Sequence, residues 1–184
     1  MNNELRLIRK IQKNGDRNSA DKLVRHYYDE IYRFMHKQTS DNEVSLDLTQ
    51  EVFISLLKSI NRYDPKKGAG LRTWLYKIAA NKSVDYFRSQ STHTGDTISI
   101  DEDYTEPIDQ ADFTLTLENC DFSEQVCNFV SRLPIETQKI FRLHIFAQHT
   151  FAEIAESMEI PESSIKSKYY RLIKTLRREF ASYG

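Results

Sequence analysis

Residues 149–180 read HTFAEIAESMEIPESSIKSKYYRLIKTLRREF. Thr150 precedes Glu153 by three positions, the spacing of a capping box, so a short helix starts there. Pro161 interrupts the pattern and begins a second helix after a tight turn. Two short helices with so brief a turn between them predict a helix-turn-helix. Ile154, Ala155, Ile160, Ile165, Leu172 and Leu176 fit two crossed helices over a small shared core, and Ala155 is small enough for a close crossing. On the second helix Ile165, Tyr169, Leu172 and Leu176 make one stripe. Ser163, Ser164, Lys166, Ser167 and Tyr170 fall off that stripe near the N-terminal end. Short hydroxyls and a lysine placed there can reach base edges and phosphates in a major groove. Lys168, Arg171, Lys174, Arg177 and Arg178 continue the basic character, and from Glu162 to Phe180 six basic residues face two acids. A solvated charged face on a small bundle is the plain alternative; the charge balance favours DNA.

Outward from this unit the chain reads as all-helical. Its 184 residues hold five glycines and four prolines, and apolar residues recur every three or four positions. Predicted helices cover about 20–35, 45–60, 71–89 and 117–130, and one begins at Pro134 and ends near Phe146. Polar, acidic and turn-forming residues dominate from Ser91 to about Asp112 and read as a linker. The net charge of −1 conceals a pattern. Residues 1–89 carry 17 Lys and Arg against 11 Asp and Glu; residues 90–125 carry ten acids and no base; residues 126–184 carry nine bases against six acids. Two basic blocks therefore flank an acidic stretch. The N-terminus has no apolar core of a secretory signal, and no apolar run is long enough to span a membrane, so a cytoplasmic chain without membrane insertion is expected.

In the first block RTWLYKIAANKSVDYFR, residues 72–88, mixes aromatic and basic residues. Leu71, Trp74, Leu75, Ile78 and Ala79 share a face that must be buried. Lys77, Asn81, Val84 and Arg88 form a second line, and Tyr76, Ala80, Ser83 and Phe87 a third. Only a narrow sector is polar, so protein or ligand is expected on several sides. Rings beside cations suit a single strand of nucleic acid, with bases stacked and phosphates held. A core helix whose cations snorkel to water is an equal reading on physics alone. The preceding PKKGAG could clasp a phosphate or an extruded base, but it is not a P-loop. In DLTQEVF, Asp47, Gln50 and Glu51 stay outside while Leu48, Val52 and Phe53 face inward. Acids there would repel DNA and suit a basic protein surface, or simply serve solubility.

Enzyme signatures are absent from the sequence. The five histidines, His26, His36, His93, His144 and His149, match no metal-ligand spacing, and no nucleophile elbow or dinucleotide fingerprint occurs. Cys120 and Cys127 fit neither a CxxC nor a zinc spacing and read as buried thiols. No cofactor or metal is expected.

Two segments resemble one family. DLTQEVFISLLKSINRYDPKKGAGLRTWLYKIAANKSVDYFRSQ resembles region 2 of bacterial sigma factors of the extracytoplasmic-function type, in the sigma-70 family. LPIETQKIFRLHIFAQHTFAEIAESMEIPESSIKSKYYRLIKTLRREF resembles their region 4. The resemblance implies a region 2 helical bundle in 1–90, a flexible acidic linker in 91–114 and a region 4 helix-turn-helix in 115–184. It implies a non-enzymatic factor that binds core RNA polymerase, through the β′ clamp helices and the β subunit, and opens promoter DNA. Carried onto this chain, Asp47, Gln50 and Glu51 would meet the clamp helices. Lys66, Lys67, Gly68, Ala69 and Gly70 would hold a flipped −10 base. Trp74, Lys77, Asn81 and Arg88 would frame the −10 strand and its upstream duplex. Ser163, Ser164, Lys166, Ser167, Tyr170 and Arg171 would lie at the −35 groove. An anti-sigma factor is a further partner common in the family. The chain departs from the usual pattern at Val44 and Leu46, often acids; at Gly70, commonly Ser; at Leu71, commonly Phe; at Glu159, often Gly; at Tyr170, often His; and at Leu172, often Ala. A conventional helix-turn-helix regulator acting without polymerase is the alternative, with residues 1–90 serving ligand sensing or dimerisation. A sequestering interaction protein is a second.

Overall fold

The computed structural model describes residues 3–66, 70–90 and 120–181. Among them every regular element is helical. The first half comprises α1 (Asn3–Asn14), α2 (Arg17–Thr39), α3 (Asn42–Ser59), a 3₁₀ turn at Ile60–Arg62 and α4 (Leu71–Gln90). Side chains set the starts: Asp16 accepts from the Ser19 amide at 3.1 Å to begin α2, and Asp41 from the Val44 amide at 3.0 Å to begin α3. Ser40 ends α2 in the left-handed region at φ 53°, and the brief link turns α3 back along α2.

The second half comprises α5 (Cys120–Val130), α6 (Ile135–Phe141), α7 (Phe151–Met158) and α8 (Glu162–Glu179). The helix expected to run from Pro134 to Phe146 changes character at Arg142, where Arg142–Phe146 form a π turn. A π turn holds one residue more than an α turn, which re-aims the side chains that follow. Thr150 and Glu153 form both bonds of the capping box expected from sequence. The acidic linker expected at 91–114 lies outside the described residues, as does the side chain of Cys120.

The core is continuous through both halves. Helix α4 is its centre: it packs on α2 and α3 and also on α6, α7 and the π turn. Leu71, Leu75, Ala79, Tyr76, Ala80, Ser83 and Phe87 are all buried, so both lines of the wheel face protein. Trp74 and Ile78, expected inside, are half-buried at the margin. Phe34 of α2 meets Tyr76 edge-to-face, with ring centres 5.1 Å apart.

Glu159 closes α7 at φ 59°, and the Ile160 amide donates to the Ala155 carbonyl at 3.1 Å, a Schellman ending. Glycine fits this conformation without the clash that a β-carbon makes, which explains why the resembling family often has Gly here. Glu159→Gly should raise stability by about 0.5–1 kcal/mol in urea unfolding; an unchanged or lower midpoint would contradict strain at the turn.

Candidate nucleic-acid interface

On α3, Asp47, Gln50 and Glu51 are exposed, as their spacing requires. The Glu51 carboxylate pairs with Lys82 of α4 at 2.9 Å. Sequence reasoning missed the apolar residues beside them. Leu46, Ile54 and Leu57 share this face and are 39%, 51% and 36% exposed. With Ile135 they are the large exposed hydrophobics among the described residues. The signal was present in the spacing: positions 46, 50, 54 and 57 lie on one helix line.

The loop before α4 is partly visible. The Lys66 amide donates to Asp64 Oδ1 at 2.9 Å, and its side chain reaches solvent. Lys67, Gly68 and Ala69 lie outside the described residues. Gly70 accepts the first α4 bond, from the Trp74 amide at 3.0 Å. A β-carbon at Gly70 would meet nothing within 4 Å, so the serine common in the resembling family fits here and would also suit a helix start.

Along α4 the expected strand-binding residues differ in environment. The Trp74 ring rests 5.2 Å from that of Tyr63. Arg88 is exposed in the last turn, a position that also favours the helix dipole. Asn81 is half-buried, and its Oδ1 has no partner within the chain. Lys77 does not reach solvent freely: its Nζ donates to the Ser157 carbonyl in α7. Arg72, which sequence reasoning did not single out, bonds Glu30 at 2.5 Å and lies 4.9 Å from the Tyr76 ring centre.

On α8, Ser163 and Lys166 are exposed, whereas Ser164, Ser167, Tyr170 and Arg171 are half-buried. Lys166 pairs with Glu162 one turn back at 2.7 Å, and the hydrogen bond to that carboxylate raises its pKa. The Tyr170 ring leans on Phe151 and Tyr169, at 6.0 Å and 5.7 Å between centres. Tyr170 therefore packs as well as presenting its hydroxyl. Lys168 pairs with Glu136 of α6, tying the reading helix to its support.

A polar seam joins the halves. Arg142 is fully buried; its Nη1 donates to Gln38 Oε1 of α2 at 2.6 Å, and its guanidinium carbon lies 4.4 Å from the Phe87 ring centre. Cys127 Sγ is 3.9 Å from the same nitrogen. Burial lowers the Arg142 pKa and raises that of the Cys127 thiol. His149, 1% exposed, meets the Tyr76 ring edge-on at 5.0 Å, and neither ring nitrogen has a partner. Ser123 Oγ donates to the Lys37 carbonyl at 2.9 Å.

Among the described residues no group of His, Cys, Asp or Glu could hold a metal, and no helix is long and apolar enough to cross a membrane. A helix-turn-helix with an outward basic helix, joined to a bundle bearing a mixed acidic and apolar face, defines a DNA-reading protein that also docks on another protein. Family comparison gives the particular kind. Residues 23–93 match the model of sigma-70 region 2, and residues 124–176 that of sigma-70, region 4. SigM of Bacillus subtilis (strain 168), an ECF RNA polymerase sigma factor, is 25% identical over 159 residues, covering 86% of this chain and 93% of that protein. RpoE of Cereibacter sphaeroides, another ECF sigma factor, is 24% identical over 176 residues, covering 95% and 93%. The solved structure of CnrH in complex with the cytosolic domain of CnrY has the same fold, at a TM-score of 0.64 and 14% identity, covering 98% of this chain and 99% of that one. The chain belongs to the sigma-70 family as a sigma factor of the extracytoplasmic-function type. It directs RNA polymerase to promoters and is not itself an enzyme.

The burial of two imidazoles has a pH consequence. Desolvation holds His149 and His144 below the ordinary histidine value. The unfolded chain then takes up protons first, at about pH 6.5, so stability falls as pH drops below that value toward the lowered folded ones. His149→Phe keeps a ring against Tyr76 and removes one of these protons. Urea midpoints between pH 7.5 and 5.5 should decline less steeply in this variant, and an identical decline would remove His149 from the account.

Proposed function

We propose that the chain binds core polymerase through α3, reads the −10 strand with α4 and its preceding loop, and reads the −35 duplex with α8. One observation carries this most strongly. The outer face of α3 combines Asp47, Gln50 and Glu51 with exposed Leu46, Ile54 and Leu57. An apolar patch inside an acidic rim is what a protein partner with a basic rim covers, and DNA would be repelled from it. The contact with the β′ clamp helices, proposed from the family resemblance, thus gains three apolar residues. The remaining polymerase contacts would fall to the β subunit.

Residues 1–90 then serve −10 recognition and melting, and residues 115–184 serve −35 recognition. Lys66, Lys67, Gly68, Ala69 and Gly70 would hold a flipped base. Trp74, Lys77, Asn81 and Arg88 would line the strand, its bases stacked and its phosphates held by cations. On α8, Ser163 and Lys166 face outward most fully, and we assign them first contact with the groove, with Ser164, Ser167, Tyr170 and Arg171 at its edge. The fold shared with CnrH, which is solved bound to CnrY, supports an inhibitory anti-sigma partner. A cytoplasmic location accords with these partners.

The test is in vitro transcription with core polymerase and the full chain on a genomic fragment library. Selective initiation is expected, and its absence would overturn the reading. Ile54→Arg should abolish complex formation with core polymerase. Lys166→Ala should lower initiation at −35-dependent promoters about tenfold, near 1.4 kcal/mol, and Asn81→Ala should slow strand opening while sparing duplex capture. Undiminished output from both would remove those two assignments.

A further inference from the structure

The face of α4 assigned to the −10 strand is covered by the other half of the same chain. Lys77 donates to the Ser157 carbonyl, inside the first helix of the helix-turn-helix. Tyr76, its neighbour, is closed over by His149, which directly precedes the capping residue of that helix. A lysine whose ammonium is engaged by a backbone carbonyl of α7 cannot hold a phosphate at the same time. We infer that the free chain is self-closed: the helix-turn-helix half is a lid on the strand-reading face of α4, held by Arg142 on Gln38, and it lifts before the promoter is read. The inference rests on the assignment of Lys77 to the −10 strand.

The composition of the seam marks it as releasable. A permanent core would be apolar, with its polar groups paired. Here a guanidinium is fully buried, and its Nε and Nη2 have no partner within the chain. Both ring nitrogens of His149 and Oδ1 of Asn81, one turn along from Lys77, are also without one. Each of these atoms gains hydration when the lid lifts, which offsets part of the apolar surface re-exposed. The charge is held by three groups: Gln38 Oε1 at 2.6 Å, the Phe87 ring at 4.4 Å and Cys127 Sγ at 3.9 Å. Two of the three, Gln38 and Phe87, belong to the first half. Arg142 itself stands at the start of the π turn in the second half. The closed state therefore depends on one charged side chain crossing the seam. Removing Gln38 Oε1 takes away the one oxygen that holds this guanidinium and raises the cost of closure. Replacing both members with apolar side chains removes the desolvated charge altogether and keeps the lid shut.

The experiment labels the lysines of the full chain with an amine-reactive acetyl ester and follows each site by mass spectrometry. Lys22 and Lys174, both exposed, one in each half, are internal standards. In the native chain Lys77 should react about tenfold more slowly than Lys22, the ratio for a lid closed about 90% of the time. In Gln38→Ala it should approach the Lys22 rate, with the helical circular-dichroism signal retained. In the double variant Gln38→Leu, Arg142→Met it should be slow again, which a general loss of folding would not produce. Gln38→Ala should also reach half-maximal initiation with core polymerase at a severalfold lower chain concentration. Lys77 reacting as fast as Lys22 in the native chain would overturn the closed state. Fast labelling in Gln38→Ala with no gain in initiation would overturn its inhibitory role. Absence of initiation by the native chain would count against the promoter-reading assignment, while the labelling rates would still decide closure.

Discussion

A helix that is apolar on two opposite sides needs two partners. Helix α4 is such a helix, and the rest of the structure follows from its burial. One line, Leu71, Leu75 and Ala79, and the next, Tyr76, Ala80, Ser83 and Phe87, leave little of its circumference for water. The first bundle cannot cover both. Helices α2 and α3 take one part, and α6, α7 and the π turn take another. The small residues Ala79, Ala80 and Ser83 allow close approach from both directions. Without the second half, the α4 surface around Tyr76 and Phe87 would be open.

That need conflicts with what α4 is for in a sigma factor. A surface that reads DNA must be reachable, and a surface that completes a core must not. The chain meets both demands by placing polar atoms where the second partner sits. Arg142, Gln38 and His149 are buried at the contact, whereas the opposite flank of α4 meets Phe34 and Met35 of α2. Water and nucleic acid can replace partners at a polar contact; they cannot replace Phe34 against Tyr76. The asymmetry across one helix separates the permanent core from the contact that can exchange.

Much of this was legible in the sequence, and the limits have physical causes. Local signals were readable because their partners lie within one turn: Thr150 with Glu153 marks the start of α7, and Pro161 the start of α8. The narrow polar sector of residues 72–88 correctly required cover on several sides. Periodicity says that a face is buried and nothing about by what, so it left protein and nucleic acid as equal candidates. The exposed apolar set Leu46, Ile54 and Leu57 escaped because apolar residues occur all around α3, which hides a second stripe behind the core stripe. Arg142 and Gln38 could not be paired from sequence at all. They are 104 positions apart, and an arginine inside an amphipathic helix reads as a solvated cation until the fold shows otherwise.

The charge distribution bears on why two readers share one chain. Each basic block has only a small excess of cations, and between them lie ten acids in residues 90–125. Affinity for phosphates scales with the number of cations brought to bear, so each block alone holds DNA weakly at physiological salt. Tethering changes this, since engagement of one reader raises the effective concentration of the other, provided the geometry allows both to reach their sites together. In the closed chain it does not: Lys77 of one reader is bonded to the helix that supports the other. The gain from tethering is therefore withheld until the halves separate. Docking through α3 leaves the seam untouched, because Asp47, Gln50, Glu51 and Ile54 lie on an exposed face of the bundle. A polymerase could thus take hold of the closed chain first, and use contacts with the second half to draw the two readers apart.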